Sequence, residues 1–480
     1  MVASGPAGGD APRVRFAPSP TGFFHVGSAR TALFNWLFAK RAGGTFVLRI
    51  EDTDEERNRE EWIDGIVSAM SWLGMAPDEG PYRQSDRVGD HRAAADRLWA
   101  AGAVYACDCT RQAVEERIRG NEVPGYDGYC RDRGIEPGPG RALRFRVPDD
   151  GATVVHDLVR GQVAFPNAAI EDFVVMKSTG QPLFVLANVV DDMAMGITHV
   201  IRGEDLLPST PKAILLWGAL ARSGGPAGLP AFAHLPMLVN EQRKKLSKRR
   251  DPVAVESYRD RGFLPEAFVN YLGLLGWSPP GGQEIVPLAD MVRAFRLEDV
   301  NHAPAFFDVT KLTHMNGEYI RALPAEEFVA RCAPWTTGPL APWPADRFDE
   351  QVFLQVAPLV QERVSTLDEV PAMVDFLFLA EPLVDAAAWA AVGGDELAAG
   401  LLAAAVDIYQ QVEWTAEALH QATLRLAESS GRKLGKAQVP IRVAVTGRRV
   451  GPPLFESMVA LGRVAVLARL RAAQERLSSP

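Results

Sequence analysis

The apolar residues at the start of the chain change from strand spacing to helix spacing. In residues 13–30 a short apolar strand is followed by a turn, and apolar residues then recur at helical spacing from about Val26. The turn is set by residues that prevent regular structure: Pro18, Pro20 and Gly22. A strand over 45–50 and a helix over 60–73 are predicted next. This alternation indicates a parallel sheet with crossover helices, whose chemistry lies at the carboxyl ends of the strands.

The rest of the chain divides into segments of different pattern. Short strands and turns interrupt the alternation, which then resumes, and helical patterns dominate the second half. We predict an α/β fold, with a doubly wound (Rossmann-type) parallel-sheet domain, an inserted α+β domain and an all-α C-terminal region. The predicted boundaries are a loose tail over 1–12, the sheet domain over 13–105 and 186–250, the insert over 106–185, a helical domain over 251–330 and a second helical region over 331–480.

Proline spacing predicts one linker. Residues 334–344, PWTTGPLAPWP, contain four prolines and a glycine. Because proline removes a backbone donor and glycine disfavours helix, we predict that this segment is not helical and joins two helical regions.

Composition narrows the class of protein. The 480 residues are 47% hydrophobic and carry a net charge of −9, so a soluble protein without a generally basic surface is expected, although local basic patches remain compatible with RNA. The first 12 residues lack an apolar leader, and the Ala-rich stretch 386–408 holds three acidic residues, so we predict a packed helix and no membrane span. Four cysteines do not make a disulfide scaffold, which favours the cytoplasm.

Two distant segments carry candidate chemistry. The small residues Gly27 and Ser28 open the first helix, and such a helix start offers unpaired N–H groups to a phosphate. Residues 244–249, KKLSKR, are strongly basic. Each has an ordinary alternative: the first is also compatible with a plain βα unit, and the second with a solvated loop.

Together these segments resemble the two nucleotide motifs of class I aminoacyl-tRNA synthetases. His-Val-Gly-Ser (25–28) follows APSPTG, KLSKR (245–249) stands for the family's mobile lysine loop, and RIEDTD (49–54) narrows the resemblance to the glutamyl and glutaminyl branch. The helical C-terminal third favours the glutamyl type. The resemblance covers about residues 13–477. It implies ATP-dependent ligation of glutamate to tRNA-Glu through glutamyl-adenylate, with Mg²⁺ accompanying ATP and activation awaiting bound tRNA.

The resemblance also implies the site residues. His25, Lys245 and Lys248 would be catalytic, and the expected ATP-binding residues are Ser19, His25, Gly27, Ser28, Lys245 and Lys248. The expected glutamate-binding residues are Arg15, Ser19, Glu51, Phe184, Asn188 and Arg202. Phe184 stands where most glutamyl enzymes have a tyrosine, so a hydroxyl contact is missing. For Asn188 a purely structural role is an open alternative.

Three cysteines lie close together in the sequence, which in a cytoplasmic protein favours zinc over a disulfide. By resemblance, Cys107, Cys109, Tyr126 and Cys130 would form a structural zinc site, and the alternative is a metal-free remnant of that module. Cys332 is expected to be an isolated thiol.

The remaining expectations concern partners. In the C-terminal helices Arg363 and Arg442 are candidates for tRNA contact, although a plain surface charge is the alternative for each. We expect a monomer. Two other functions stay open: a homologue that glutamylates another acceptor (a modified tRNA base or a non-tRNA molecule), and a non-catalytic tRNA-binding copy. The first kind of homologue lacks the anticodon region that this chain retains.

Overall fold

The computed structural model describes residues 11–54, 56–119, 125–247 and 251–478. The chain divides into two compact units, residues 1–259 with 265–309 and residues 260–264 with 310–480. Most of the predicted tail over 1–12 lies outside the described residues, as does Lys248.

The strands of the first unit form three sheets. In chain order they are β1 Arg13–Phe16, β2 Thr45–Ile50, β3 Glu79–Arg83, β4 Val104–Cys107, β5 Ala142–Phe145, β6 Ala152–Asp157, β7 Gly161–Pro166, β8 Val174–Met176, β9 His199–Gly203, β10 Ala231–Leu235, β11 Leu238–Val239 and β12 Ala305–Phe306. The main sheet has the order β3-β2-β1-β9-β10-β6-β7 and is parallel except for the β6–β7 pair. A small antiparallel sheet has the order β4-β5-β8, and β11 pairs with β12.

The main sheet includes two strands from the predicted insert. β6 pairs in parallel with β10, with Asp157 in register with Phe232, and β7 forms the edge. The short-strand pattern of residues 106–185 predicts an insertion but does not indicate that its hairpin extends the sheet of the host domain. The carboxyl end of β6 is thereby placed next to β10.

The helices of the first unit are α1 Val26–Arg41, α2 Glu60–Trp72, α3 Val88–Ala100, α4 Arg111–Arg117, α5 Phe184–Ala194, α6 Thr210–Arg222, α7 Val255–Asp260, α8 Pro265–Leu274 and α9 Leu288–Ala294. Helix α1 begins where His25 caps it, since the His25 side chain accepts a hydrogen bond from the Gly27 N–H. Its apolar stripe is fully buried, and each large member contributes about 1.5–3 kcal/mol: Val26, Ala29, Leu33, Phe34 and Leu37. This packing fixes the N-terminus of α1 above the end of β1.

The described residues of the second unit are helical. Their helices are α10 Val309–Ala322, α11 Ala325–Arg331, α12 Ala333–Thr336, α13 Glu350–Gln361, α14 Val370–Phe378, α15 Ala386–Gly393, α16 Ala398–Gln411, α17 Ala416–Ser429, α18 Leu434–Thr446, α19 Leu454–Leu461 and α20 Arg463–Ser478. One apolar core joins α16 to α20, with Leu402, Tyr409 and Leu470 buried in it. No helix in the described part of the chain is long and apolar enough to cross a bilayer.

The prediction for residues 334–344 is partly wrong. Ala333–Thr336 forms a one-turn helix, and Pro334 lies in its first turn, where a missing N–H removes no helical hydrogen bond. Trp335 and Trp343 are buried, and the Trp343 indole donates to the Thr336 carbonyl at 2.9 Å. The segment is therefore packed into the helical unit by its aromatic side chains.

Candidate functional site

A cleft of about 470 Å³ lies at the carboxyl ends of the central strands. Arg15 comes from the end of β1, Glu51 follows β2, and Arg202 lies near the end of β9. The start of α1 and the basic segment complete the lining. The cleft contains every predicted ATP- or glutamate-binding residue that the structure describes: Arg15, Ser19, His25, Gly27, Ser28, Glu51, Phe184, Asn188, Arg202 and Lys245.

The geometry at His25 fixes one of its ring nitrogens. The Gly27 N–H donates to Nδ1 at 2.9 Å, so Nδ1 is an acceptor and the ring proton of the neutral form is on Nε2. His25 can therefore act as a donor through Nε2. At the neighbouring Gly27, an added Cβ would lie 3.2 Å from the His25 ring, so a larger residue would crowd this cap.

Lys245 and Leu246 of the basic segment reach the same cleft from the opposite half of the sheet domain. Lys245 Nζ lies 2.9 Å from a carboxylate oxygen of Asp205, and both side chains are about half exposed. An exposed ion pair of this kind is weak and is readily exchanged for another anion. Lys245 and His25 thus share one cleft, as the sequence predicts, whereas Lys248 cannot be placed.

Arg15 is buried and held by a carboxylate. Its Nε donates to Asp192 Oδ1 at 3.0 Å, and the same oxygen accepts from Arg49 at 2.7 Å. No described residue accepts a hydrogen bond from the terminal NH₂ groups of Arg15. Asp192 therefore orients the guanidinium by one edge and leaves the other edge to the cleft.

Arg202 is buried without an ion-pair partner among the described residues. Its contacts are to neutral groups: His234 Nε2 at 3.2 Å, Thr210 Oγ1 at 2.8 Å and weaker ones to Leu206 and Ser209. Burial lowers the pKa of Arg202 to about 10, and the charge of Arg15 adds to this shift. The group is still cationic at neutral pH, and an uncompensated buried cation favours binding of an anion.

The charges that meet in this part of the cleft do not cancel. Three guanidinium groups, those of Arg15, Arg49 and Arg202, face two carboxylates, those of Glu51 and Asp192, because the nearby Asp191 is paired with Arg87 and Asp205 with Lys245. Burial raises the pKa of Glu51 to about 7, because it outweighs the opposing effect of Arg49 and Arg15. The cleft is therefore suited to a ligand that brings an extra negative charge together with a cationic group for Glu51.

Asn188 is oriented by its neighbours. Its side-chain oxygen accepts from Arg49 and from Gln84, each at 3.1 Å. The amide is therefore available to the cleft only as a donor. Phe184, the aromatic residue on the same helix, is partly exposed at the cleft wall.

Sequence reasoning misses several residues that build this site. Asp192 holds Arg15, and Arg49 holds Asn188. Arg30 of α1 donates to the carbonyl of Leu275 at 3.0 Å and to that of Pro236. Burial without a carboxylate partner lowers the pKa of Arg30 to about 9. The sequence signal that could have found Arg49 and Asp192 is a charged residue inside an otherwise apolar segment, as in Thr45–Ile50 and Phe184–Ala194. Such a signal does not show which residue the charged group contacts.

Comparison with known proteins agrees with this architecture. A family model for the catalytic domain of class I tRNA synthetases (E and Q) matches residues 12–314, and one for an anticodon binding domain matches residues 327–474. The glutamate–tRNA ligase of Frankia casuarinae is 60% identical over 469 residues, covering 97% of this chain and 98% of the relative. That of Streptomyces coelicolor is 45% identical over 500 residues, covering 98% and 99%. The chain belongs to the glutamate–tRNA ligase family.

A solved structure of another family member has the same fold. The crystal structure of a glutamate tRNA ligase from Elizabethkingia meningosepticum in complex with its amino acid superimposes with a TM-score of 0.84 at 30% identity, covering 98% of this chain and 100% of that one. The family resemblance and the fold class predicted from the sequence are therefore confirmed.

In the present chain, the three cysteines of the inserted segment come together. The Sγ atoms of Cys107, Cys109 and Cys130 all lie within 4.8 Å of one another, and those of Cys109 and Cys130 are 3.3 Å apart. The Tyr126 hydroxyl accepts the backbone N–H of Cys130 at 2.7 Å and lies 3.7 Å from the Cys107 sulfur. The predicted ligand set thus forms one compact cluster. Cys332 belongs to the second unit, where it is buried.

The two arginines predicted to contact tRNA are neighbours in the helical unit. Arg363 is exposed just beyond α13, and Arg442 on α18 donates to the Pro452 carbonyl at 2.7 Å. Burial lowers the pKa of Arg442, and the charge of Arg363 lowers it further, so the two guanidinium groups lie within electrostatic reach. Glu456 acts on Arg442 in the opposite sense, so the two arginines and this carboxylate together carry one net positive charge.

The raised pKa of Glu51 predicts a pH-dependent effect of Glu51→Gln. The native carboxyl takes up its proton near pH 7 instead of near 4.5, so the contribution of Glu51 to the free energy of unfolding is fully present below pH 4.5 and is lost as the pH rises to 7. Glutamine mimics the protonated form. We expect the variant to gain up to about 3 kcal/mol relative to wild type between pH 5 and pH 8.5, measured by urea unfolding.

The control for this prediction is Glu241→Gln, which changes an exposed glutamate in a loop. It should alter stability by less than about 0.5 kcal/mol at either pH. A difference between wild type and Glu51→Gln that stays constant across the pH range would contradict the electrostatic assignment.

Proposed function

We propose that this chain ligates L-glutamate to the 3′ end of tRNA-Glu in two steps, with ATP as the energy source. The observation that carries the proposal is the pairing, in one cleft, of two guanidinium groups (Arg15 and Arg202) with a phosphate-binding arrangement (the start of α1, His25 and Lys245). The two guanidinium groups fit an acidic amino acid, and the phosphate-binding arrangement fits the polyphosphate of ATP.

In the first step the α-carboxylate of glutamate attacks the α-phosphorus of ATP. A new C–O–P bond forms glutamyl-adenylate, and the bond to the β-phosphate breaks so that pyrophosphate leaves. The protein aligns the reactants and stabilises the growing negative charge. His25 donates from Nε2, the N-terminus of α1 contributes the positive end of its dipole and the Ser28 N–H, and Lys245 exchanges Asp205 for the departing phosphates. Mg²⁺ accompanies ATP and shields its phosphates.

In the second step a hydroxyl of the terminal tRNA ribose attacks the activated carbonyl. The ester forms, AMP leaves, and the hydroxyl proton passes to solvent or to the leaving phosphate. The helical unit, with Arg363 and Arg442, would contact the anticodon region. As the resemblance implies, we expect activation to require bound tRNA.

Selection of glutamate over glutamine follows from the charge balance of the cleft. Both amino acids bring an α-carboxylate and an ammonium group, which Glu51 can receive. Only glutamate brings a second carboxylate, and that carboxylate compensates the buried charge of Arg202. A buried charge left without its partner costs about 3–5 kcal/mol, so discrimination of 10²-fold or more needs no editing site.

We further propose that the enzyme acts as a monomer in the cytoplasm. ATP and tRNA are cytoplasmic substrates, and the monomer stays the expectation drawn from the sequence. The presence of a complete anticodon-binding region supports tRNA-Glu as the acceptor over a modified base or a non-tRNA acceptor.

The test is aminoacylation of purified tRNA-Glu, tRNA-Gln and tRNA-Asp transcripts with radiolabelled glutamate. The proposal expects esterification of tRNA-Glu and tRNA-dependent exchange of pyrophosphate into ATP. Glutamate incorporated in an alkali-stable bond, or into tRNA-Asp only, would favour a homologue that modifies another acceptor. Binding of tRNA-Glu without any exchange would favour a non-catalytic copy.

Replacing Arg202 should abolish selection of the acidic side chain. In Arg202→Met we expect kcat/KM for glutamate to fall by about 10²–10³, because the substrate carboxylate is buried without its cation. The KM for ATP should stay within twofold, and the preference for glutamate over glutamine should approach one. Pyrophosphate exchange at varied glutamate and glutamine, with saturating tRNA-Glu, measures all three.

Arg97→Met is the matched control, since Arg97 is an exposed arginine on α3. It should leave every parameter within twofold. If Arg202→Met keeps the full preference for glutamate, Arg202 does not receive the side-chain carboxylate.

We propose a structural Zn²⁺ at the cysteine cluster. Zinc ligated by thiolates at about 2.3 Å in tetrahedral geometry places the sulfurs roughly 3.8 Å apart, close to the separations in this cluster. Arg117 and Arg133 each donate to one of the sulfurs at 3.4 Å, which favours the thiolate form, whereas burial and the neighbouring Cys130 raise the pKa of Cys109 to about 11, so zinc binding must displace that proton. Cys107, Cys109 and Cys130 would bind the ion, with the Tyr126 oxygen as the fourth ligand. Its role would be to tie β4 to the segment 125–130.

Metal analysis tests the zinc proposal. We expect the protein purified without chelators to hold about one equivalent of zinc, and Cys109→Ser to hold less than about one fifth of that, because only two thiolates remain. Cys332→Ser, which removes the cysteine outside the cluster, should keep the full equivalent. Wild-type protein that contains no zinc after growth in zinc-supplemented medium would support the metal-free alternative.

A further inference from the structure

Arg15 and Arg202 are held in place by chemically different partners. Arg15 donates to the carboxylate of Asp192, whereas Arg202 donates from Nε to the imidazole of His234 at 3.2 Å. His234 is fully buried in β10, the strand next to the one that carries Arg202. A neutral acceptor can orient a guanidinium without cancelling its charge.

The other side of the His234 ring contacts Asp157, the last residue of β6. His234 Nδ1 lies 2.6 Å from Asp157 Oδ2. The second oxygen of that carboxylate, Oδ1, accepts three backbone N–H groups, from Val159 at 3.0 Å, Arg160 at 2.8 Å and His234 itself at 3.2 Å. Asp157 is thereby fixed in one orientation by backbone N–H groups, which can donate a hydrogen bond but cannot accept one.

These contacts determine the tautomer of His234. Arg202 has only donors, so Nε2 must be an acceptor, and Nδ1 then carries the proton that it donates to Asp157. Thr210 Oγ1, 2.9 Å from Nε2, accepts from Arg202 and can donate to the same nitrogen. Burial lowers the pKa of His234 against the opposing effect of Asp157, in agreement with a neutral ring. An imidazolium would place an N–H against the Arg202 N–H.

We propose that Asp157 and His234 are positioning residues for glutamate selection, acting through Arg202. Asp157 fixes the tautomer of His234, and His234 orients Arg202 while leaving its charge for the substrate carboxylate. This inference rests on the proposed function. It also gives the β6–β7 hairpin a role at the site, since the hairpin brings Asp157 to the carboxyl end of β10.

Asp157→Asn tests this arrangement with a change of one atom. The three backbone N–H groups keep the asparagine oxygen on their side, so its NH₂ group faces His234 Nδ1 and forces the ring proton onto Nε2. Thr210 can turn to accept that proton, but the Arg202 Nε–H loses its acceptor. We expect KM for glutamate to rise about tenfold to a hundredfold, with KM for ATP within twofold.

His234→Gln is the conservative counterpart. Its carbonyl oxygen can occupy the position of Nε2 and accept from Arg202 whatever group stands at residue 157, so KM for glutamate should rise less than about fivefold. In that background Asp157→Asn should add less than about threefold, since no tautomer remains to be changed. His199→Gln is the matched control for a histidine on the strand of Arg202, because His199 contacts Thr198 and Phe38, and it should leave KM unchanged.

Two measurements decide the inference. The ¹⁵N chemical shifts of His234 in labelled full-length protein, assigned by comparison with His234→Gln, should show a protonated Nδ1 in wild type and a protonated Nε2 in Asp157→Asn. Exchange kinetics in the presence of tRNA-Glu should show the selective rise in KM for glutamate.

The inference is overturned if the wild-type ring is protonated on Nε2, or if Asp157→Asn leaves KM for glutamate unchanged or raises it equally for ATP. These outcomes are distinct from failure of the proposed function. If the proposed function fails, the wild-type protein shows no glutamate-dependent exchange, whereas the tautomer of His234 can still be measured without any substrate.

Discussion

The burial of guanidinium groups at the carboxyl edge of the sheet is the constraint on which the rest of the site depends. Arg15, Arg49 and Arg202 are almost completely withdrawn from water, and a buried cation is tolerated only where acceptors are built around it. Asp192 serves two of the three at once, at 3.0 and 2.7 Å. The third is given neutral acceptors only. The protein therefore folds around an unbalanced positive charge at the position where the amino acid would bind.

The sheet topology makes this arrangement possible. In a parallel sheet the carboxyl ends of all strands face the same edge, so residues distant in sequence meet there. β1 and β9 are neighbours and carry Arg15 and Arg202, while β10 carries His234 and β6 brings Asp157 from the inserted segment. The cleft is therefore supported by both halves of the doubly wound fold and by the insert between them.

The sequence predicts the parts of this site that local pattern or family motifs encode. The strand-turn-helix at the start of the chain, the insertion and the helical C-terminal region follow from periodicity, and His25, Lys245 and the two pocket arginines follow from motif resemblance. The partners of those residues have no such signal. Asp192 lies 177 positions from Arg15 and Asp157 lies 77 positions from His234, so each contact exists only once the sheet has formed. The prediction for residues 334–344 is partly wrong for a related reason, since buried tryptophans override the local preference of a proline-rich sequence.

The ionisation of Glu51 follows from the same constraint. Glu51 lies 3.6 Å from Arg49, yet burial still raises its pKa to about 7, so near neutral pH its charge is poorly stabilised. An ammonium group bound beside it would favour the carboxylate, just as a carboxylate bound beside Arg202 would favour the guanidinium. Glutamate offers both groups in one molecule, so each end of the ligand would compensate a charge that the protein's own groups leave poorly compensated. In the proposed mechanism, selectivity would then arise from the electrostatics of the protein, because an amino acid with a neutral side chain would compensate only one of the two charges.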